Sequence, residues 1–206
     1  RRVAGLGTLD IHGESNGHYQ HYNLHTDVAV IGGGPAGITA AIEAARTGVA
    51  VTLIDDQPCL GGHLRSDVQI YSGDSADYSD MKAYEIAGTL AGDLRKLPNV
   101  EVLSEASAFG LYEGNLVAVI QHDRVLKLRA KKVIVASGCN EIPFVFQGND
   151  LPGITLSTGI QKLIHLYGLK LGSKAVVITN NDQGYQTAVD LLGSGVRVAA
   201  IADARS

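Results

Sequence analysis

Apolar and polar positions divide the 206-residue chain into well-separated blocks. Val28-Ala29-Val30-Ile31 is an unbroken apolar run, and Gly32-Gly33-Gly34-Pro35-Ala36-Gly37 interrupts it. Ile38, Ala41, Ile42 and Ala45 then recur at the spacing of one helix face. Gly48 closes that helix, as a residue that tolerates positive φ commonly does. A second apolar run, Val49 to Ile54, ends at Asp55. The pattern predicts strand, glycine turn, helix, strand and acid.

Farther on, Ala83, Ile86, Ala87, Leu90, Leu94 and Leu97 form the stripe of a helix predicted over Asp80 to Leu97. Pro98-Asn99 stops it, and Val100 to Leu103 is a short strand. Ala106 to Tyr112, Leu116 to Gln121 and Val125 to Ala130 alternate as strands, with Glu113-Gly114-Asn115 and His122-Asp123-Arg124 as turns. They predict an antiparallel three-stranded meander. Lys132 to Ala136 reads as a separate, buried strand of the parallel kind, ending in Ser137-Gly138. After a loop with Pro143 and Pro152 come a helix (Ser157 to Tyr167), a strand (Lys174 to Thr179), a helix (Gly184 to Leu192) and a strand (Val196 to Ile201) ending near Asp203. The expected organisation is a polar lead-in arm over 1–26, a dinucleotide-binding domain over 27–150 and a partial second domain of dinucleotide type over 151–206.

Composition narrows the class. Hydrophobic content of 45% and charged content of 18% are those of a globular chain with ample core. The net charge is −4 and no basic block occurs, which argues against a nucleic-acid surface. No apolar run approaches a membrane span, and no signal-peptide pattern opens the chain. Cys59 and Cys139 form neither a C-x-x-C pair nor a metal spacing, and read as reduced thiols of a cytoplasmic protein. The lead-in holds His12, His18, His21 and His25, but without a carboxylate or thiol cluster they read as part of a solvated arm rather than a metal site. The start at Arg1 and the abrupt end at Ser206 lead us to expect a fragment of a longer polypeptide.

The first block carries the chemistry. Gly32 makes the turn out of the strand, Gly34 lets backbone approach a pyrophosphate, and Gly37 lets the helix pack on the strand. Gly33 and Ala36 complete the turn, and Pro35 suits a first helical turn, where its missing N–H costs nothing. The helix N-terminus offers unpaired N–H groups and partial positive charge to phosphate. Asp55 follows at about the twenty-residue spacing expected for a ribose-binding acid. An acid there disfavours a 2′-phosphate, hence NADP. Gly61-Gly62, shortly after, predicts a second close backbone approach. No paired carboxylates, Ser-His pair or metal cluster stands at informative spacing, so no catalytic residue and no metal ligand is assigned; His165 reads as structural.

The last block repeats the first. With Ile178 set on Ile31, Thr179 falls on Gly32, Asn181 on Gly34 and Gly184 on Gly37, and Asp203 takes the place of the acid. The copy keeps the packing glycine and loses the two that face phosphate, so it is expected to have lost ordinary pyrophosphate binding.

The whole layout resembles the two-dinucleotide-domain flavoproteins: an α/β, Rossmann-like FAD/NAD(P)-binding fold with a parallel sheet, a meander and the start of a second βαβ domain. More narrowly it resembles the α subunit of heterotetrameric sarcosine oxidase and related amine and amino-acid dehydrogenases. RRVAGLG at Arg1–Gly7, IDDQPCLGG at Ile54–Gly62, NDLPGITLSTG at Asn149–Gly159 and ITNNDQGYQTAVDLL at Ile178–Leu192 carry that likeness. The resemblance implies an oxidoreductase subunit with NAD at the first turn, or FAD as in the wider superfamily. Amine oxidation would occur at FMN or FAD in partner subunits, above all a β subunit, and further domains of the same chain would flank this region. It implies that Gly32, Gly34, Pro35, Ala36 and Gly37 line the pyrophosphate and Asp55 the ribose. Asp56, Gln57, Gly62 and His63 would lie alongside, Ala106 by the adenine, and Ala136, Ser137 and Gly138 would close the site. Ser137 stands in for the usual Thr, and His63 for a commonly smaller residue. Two other readings stay open at this stage: a free-standing FAD- and NAD(P)H-dependent reductase, and a scaffold subunit stabilised by a nucleotide.

Overall fold

The computed structural model describes residues 20–71 and 78–205. The expectations for Arg1–Gly7, His12 and His18 lie outside the described residues. In chain order the elements are β1 (Gln20–Ile31), α1 (Pro35–Arg46), β2 (Val51–Ile54), α2 (Ala83–Arg95), β3 (Val100–Leu103), β4 (Ala106–Tyr112), β5 (Leu116–Gln121), β6 (Arg124–Val135), α3 (Ser157–Tyr167), β7 (Lys174–Thr179), α4 (Asp182–Gly193) and β8 (Arg197–Asp203). The first six strands form one sheet in the order β3-β2-β1-β6-β5-β4. β1, β2, β3 and β6 run parallel, while β4 and β5 add antiparallel. β7 and β8 pair in parallel as a second sheet.

Burial explains the layering. β2 is covered on both faces, so all four of its residues are buried. On one face Ile38, Ala41, Ile42, Leu90 and Leu94 from α1 and α2 pack on Val30, Val51 and Leu53. On the other, Val117, Val119, Leu126 and Leu128 of the meander pack on Ala29, Ile54 and Leu103. Full burial of each such Leu or Ile is worth roughly 1.5–3 kcal/mol. Asn99, expected only as part of a helix stop, also ties the layers. Its amide donates to Ala45 O at 2.8 Å and Val49 O at 2.7 Å, joining the end of α1 to the start of β3.

Two boundaries differ from the sequence reading. The solvated arm expected to run to Thr26 gives way to strand at Gln20, because Tyr22, Leu24 and Thr26 alternate with polar His21, Asn23 and His25. Leu24 packs against the meander core and Thr26 is buried. The strands expected separately at Val125–Ala130 and Lys132–Ala136 are one continuous β6, paired with β1 along its length.

That long pair serves two layers by rotating once. Before the rotation, Leu24, Leu126, Leu128 and Ala130 face the meander core. After it, Ala29, Ile31 and Val133 do so, while Val28, Val30 and Ile134 face the helices. Even positions therefore give way to odd ones. The change occurs where the β1–β6 ladder skips Asp27 and Lys131. Asp27 turns to Ala50, accepting its N–H at 2.9 Å, and pairs with Lys131 Nζ at 2.6 Å. The Lys131 hydrogen bond, followed by that of the Ala50 N–H, holds the Asp27 carboxyl below its ordinary range.

The second unit has its own small core of Ile160, Val177, Ala188, Leu191 and Val196. α3 starts on Glu141, whose carboxylate accepts the N–H groups of Ser157 at 3.0 Å and Thr158 at 2.9 Å. α3 and α4 are joined through buried Gln161, which donates to Asp190 at 2.7 Å. His165 Nε2 lies 3.4 Å from the same carboxylate, inside the helix pair.

Candidate nucleotide site

Three glycines shape the first turn for different reasons. Gly32 has φ of 108°, and a Cβ there would lie 2.2 Å from Ala136 O. A Cβ on Gly37 would lie 1.8 Å from Gly32 O, so α1 can meet the end of β1 only through glycine. Gly34 is the opposite case: a Cβ there would meet nothing within 4 Å. Its lack of a side chain is demanded by no protein neighbour, only by whatever approaches from outside.

The start of α1 is chemically bare. Pro35 occupies its first turn, no side chain caps it, and no acidic residue stands in that turn. The first N–H to bond within the helix is that of Ile38, to Gly34 O at 2.9 Å. The N–H groups of Ala36 and Gly37 thus lie at the positive end of the dipole. The other helices are treated differently. α2 has the Glu85 carboxylate, which accepts the Lys82 N–H at 2.9 Å, α3 has the Glu141 carboxylate, and α4 has the Asn181 side chain.

Asp55 sits where β2 ends. One carboxylate oxygen accepts the Gly33 N–H, and the other accepts the Gln57 N–H at 2.9 Å. A carboxylate has about four acceptor positions, so ribose hydroxyls can still be accepted while the group is held rigid. Asp56 and Gln57 follow on the exposed loop, with the Gln57 amide bonded to Asp56 at 3.0 Å. Ala106 is buried beside the acid and donates its N–H to Asp55 O at 2.9 Å.

The predicted Gly-Gly approach is made against the first turn itself. Gly61 N–H donates to Gly33 O at 2.7 Å, and a Cβ on Gly62 would lie 2.9 Å from Gly34 Cα. His63 follows in a single 3-10 turn, Gly62–Ser66, and opens on a cleft of about 1110 Å³ that also reaches Cys139, Glu141 and Asn181. Ala136 N–H bonds Ile31 O at 2.7 Å, which places the backbone of Ser137 beside Gly32, and exposed Gly138 continues with φ of 71°. The predicted residues from Gly32 to Gly37, Asp55, Gly62, Ala106 and Ala136 thus meet around one turn. Asp56, His63 and Gly138 lie at its margin. Leu60 was missed. It is buried, and its Cδ2 lies 2.5 Å from where a Gly33 Cβ would stand. The signal for it was one apolar residue alone in a polar loop.

These features fit the ADP half of a dinucleotide: an open backbone approach at Gly34, a bare helix start, and a fixed acid one turn away. No group of three or more His, Cys, Asp or Glu that could hold a metal occurs among the described residues. No helix among them is long and apolar enough to cross a membrane. Cys59 and Cys139 are both free and exposed.

Residues 26–204 match the model of the family described as pyridine nucleotide-disulphide oxidoreductase. The chain belongs to this oxidoreductase family. Within the pyridine nucleotide-disulphide oxidoreductases it is similar to sarcosine oxidase subunit alpha of Rhizobium meliloti (strain 1021), 34% identical over 100% of this chain and 21% of that protein. The same subunit of Corynebacterium sp. (strain P-1) is 36% identical over 99% of this chain and 22% of its own length. The chain therefore spans about a fifth of these relatives. Among solved structures, L-proline dehydrogenase from P. horikoshii superposes with a TM-score of 0.79 at 27% identity, covering 91% of this chain and 37% of that one. The resemblance carried by the four quoted stretches thus extends over the whole chain, and the Rossmann-like flavoprotein fold is the one expected.

Proposed function

We propose that this chain is the dinucleotide-holding part of the α subunit of a sarcosine oxidase-like enzyme, working in the cytoplasm. Gly34 carries the reading: it is the one residue of the turn whose missing side chain serves no internal packing. The backbone of Gly32–Gly37 and the start of α1 would receive the pyrophosphate, and Asp55 the adenosine ribose. Gln57, Gly62, His63 and Ala106 would flank the ligand, and Ala136–Gly138 would close it.

The ligand is NAD or FAD, which share the ADP half that these residues address. When bound, a flavin supplies two-electron redox chemistry and NAD a hydride-accepting ring. The contribution of this chain is to bind, orient and exclude. Asp55 would reject a 2′-phosphate by like charge. Oxidation of sarcosine or a related secondary amine would take place at a flavin in a partner β subunit; among the described residues no acid–base pair stands at the turn. Similarity to named subunits of sarcosine oxidase supports that division.

The test is the visible spectrum of the purified chain, followed by denaturation and analysis of what is released. A colourless protein that releases NAD supports the sarcosine oxidase-like arrangement, and flavin absorbance assigns FAD. Protein that releases neither, and whose melting temperature is unmoved by millimolar ADP, would sink the proposal.

A further inference from the structure

The second βαβ unit repeats the geometry of the first closely enough for its differences to be read atom by atom. Gly184 holds α4 against the end of β7 as Gly37 holds α1: a Cβ on Gly184 would lie 2.2 Å from Thr179 Cβ. Asp203 ends β8 as Asp55 ends β2, and accepts the N–H two residues on, from Arg205 at 3.0 Å. Gln57 makes the same bond to Asp55 at 2.9 Å.

At the turn and at the acid, the places open in the first copy are taken by side chains of the unit itself. Asn181 caps α4 where Gly34 leaves α1 open, its Oδ1 accepting the Gln183 N–H at 3.0 Å. Asp182 adds negative charge in the first turn of that helix. Thr179 Oγ1 closes on Asn181, donating to its O at 2.8 Å and accepting its N–H at 3.2 Å. The Arg205 guanidinium lies on the Asp203 carboxylate, with Nη2 at 2.7 Å from Oδ2, and spans to Asp182 at 2.8 Å. The Tyr185 hydroxyl donates to the same Asp203 oxygen at 2.9 Å. Gln183 is in turn held by Gln161 at 2.8 Å, which anchors the cap to the buried Asp190 between α3 and α4.

We propose that Asn181, Thr179 and Arg205 are internal stand-ins for a dinucleotide: Asn181 and Thr179 occupy the pyrophosphate position and Arg205 the partner position of the ribose acid, so the unit folds complete without a ligand and excludes one. The residues that decide how many nucleotides this chain binds are therefore these three, and the number is one.

Calorimetric titration of the nucleotide-free 206-residue chain with ADP tests this directly. The expected stoichiometry is one, falling to zero in Gly34→Val, whose Cβ would meet nothing within 4 Å. A second equivalent in the native chain, or one surviving in Gly34→Val, overturns the proposal. No binding to the native chain would instead defeat the reading of the first turn and leave the second closed, so the two failures are distinguishable. The assignment to particular residues is tested in Gly34→Val combined with Thr179→Gly, Asn181→Gly and Arg205→Ala. With native-like circular dichroism as the folding check, this variant is expected to regain an ADP-dependent rise in melting temperature. A folded variant blind to millimolar ADP would show that the closure lies elsewhere. Should the quadruple variant unfold, Asn181→Gly with Arg205→Ala in the Gly34→Val background takes its place, read in the same way.

Discussion

The two glycine-type turns of this chain are built on one plan and solve opposite problems. At Gly32–Gly37 the polypeptide stops short: α1 begins with no cap and no acid, and the backbone in front of Gly34 is open. At Thr179–Gly184 the polypeptide finishes the job, with a cap from Asn181, a hydroxyl from Thr179 and an ion pair on Asp203. Only the glycine that lets helix meet strand is common to both. Helix-strand contact is thus a requirement of the fold, Gly32 is required by its own positive φ and by the Ala136 carbonyl beside it, and Gly34 alone is left to the ligand.

The largest effect that can separate the copies is at the shared glycine. Gly37→Ala places a methyl group 1.8 Å from a backbone carbonyl. Such overpacking costs about 1–3 kcal/mol and more when backbone is the obstacle, so loss of most of the stability is expected in urea unfolding. Gly184→Ala meets the side chain of Thr179 instead. In that copy the double change Thr179→Gly with Gly184→Ala should recover most of what Gly184→Ala loses. No single truncation can relieve Gly37→Ala, because its obstacle is main chain. Equal losses with no recovery in the double variant would break the comparison.

Next in size is conversion of the first turn into the second. Gly34→Asn gives α1 its own cap. A cap exchange between Gly and Asn is worth only a few tenths of a kcal/mol, so the apo chain is expected to be no less stable. ADP affinity should fall by about a hundredfold or more, some 2.7 kcal/mol, read by titration calorimetry. Asp55→Ala should weaken ADP by roughly tenfold, while Asp203→Ala leaves it unchanged. A smaller change is Asn181→Ala, which removes the α4 cap at a cost of about 1 kcal/mol in thermal unfolding, with nucleotide binding untouched.

Much of this was legible in sequence because it depends on short-range pattern. The turn, α1, β2 and Asp55 all follow from apolar periodicity and glycine placement, and the loss of two glycines announced a changed second turn. What replaced them was hidden, since it depends on where side chains fold back. Nothing in the string links Arg205 to Asp182, or Gln161 to both Gln183 and Asp190. β1 was hidden for another reason. Between Gln20 and Thr26 only Leu24 and Thr26 turn inward, and they stand among His21, Asn23 and His25, so the alternation has too few apolar members to stand out. The merging of two expected strands into β6 was missed because Lys131-Lys132 looks like a break, whereas Lys131 marks the point where the pair rotates around its bond to Asp27. The positions facing Gly34 were the easiest to read and the chemistry at Asp203 the hardest, in keeping with local against tertiary control.

The smallest difference between the copies lies in their response to acid. In the second unit, hydrogen bonds from the Arg205 side chain and backbone depress the Asp203 carboxyl far below the usual carboxylate range. A carboxyl whose folded value lies below its unfolded value, about 3.9, contributes stability that is present above that value and lost as pH falls toward the folded one. Melting temperature should therefore drop as pH is lowered below about 4, and Arg205→Met should flatten part of that drop. Asp27, depressed by Lys131 in the first unit, acts with the same sign, so Lys131→Met should flatten another part. Both groups are solvent-screened surface pairs, so both effects should shrink in 1 M salt, where the Debye length is about 3 Å. The pair of variants assigns the acid response to one copy or the other. If neither variant changes the slope between about pH 5 and 3, roughly the carboxylate range, then the Arg205 clamp adds nothing measurable to the second turn, and its part in closing that turn must be steric alone.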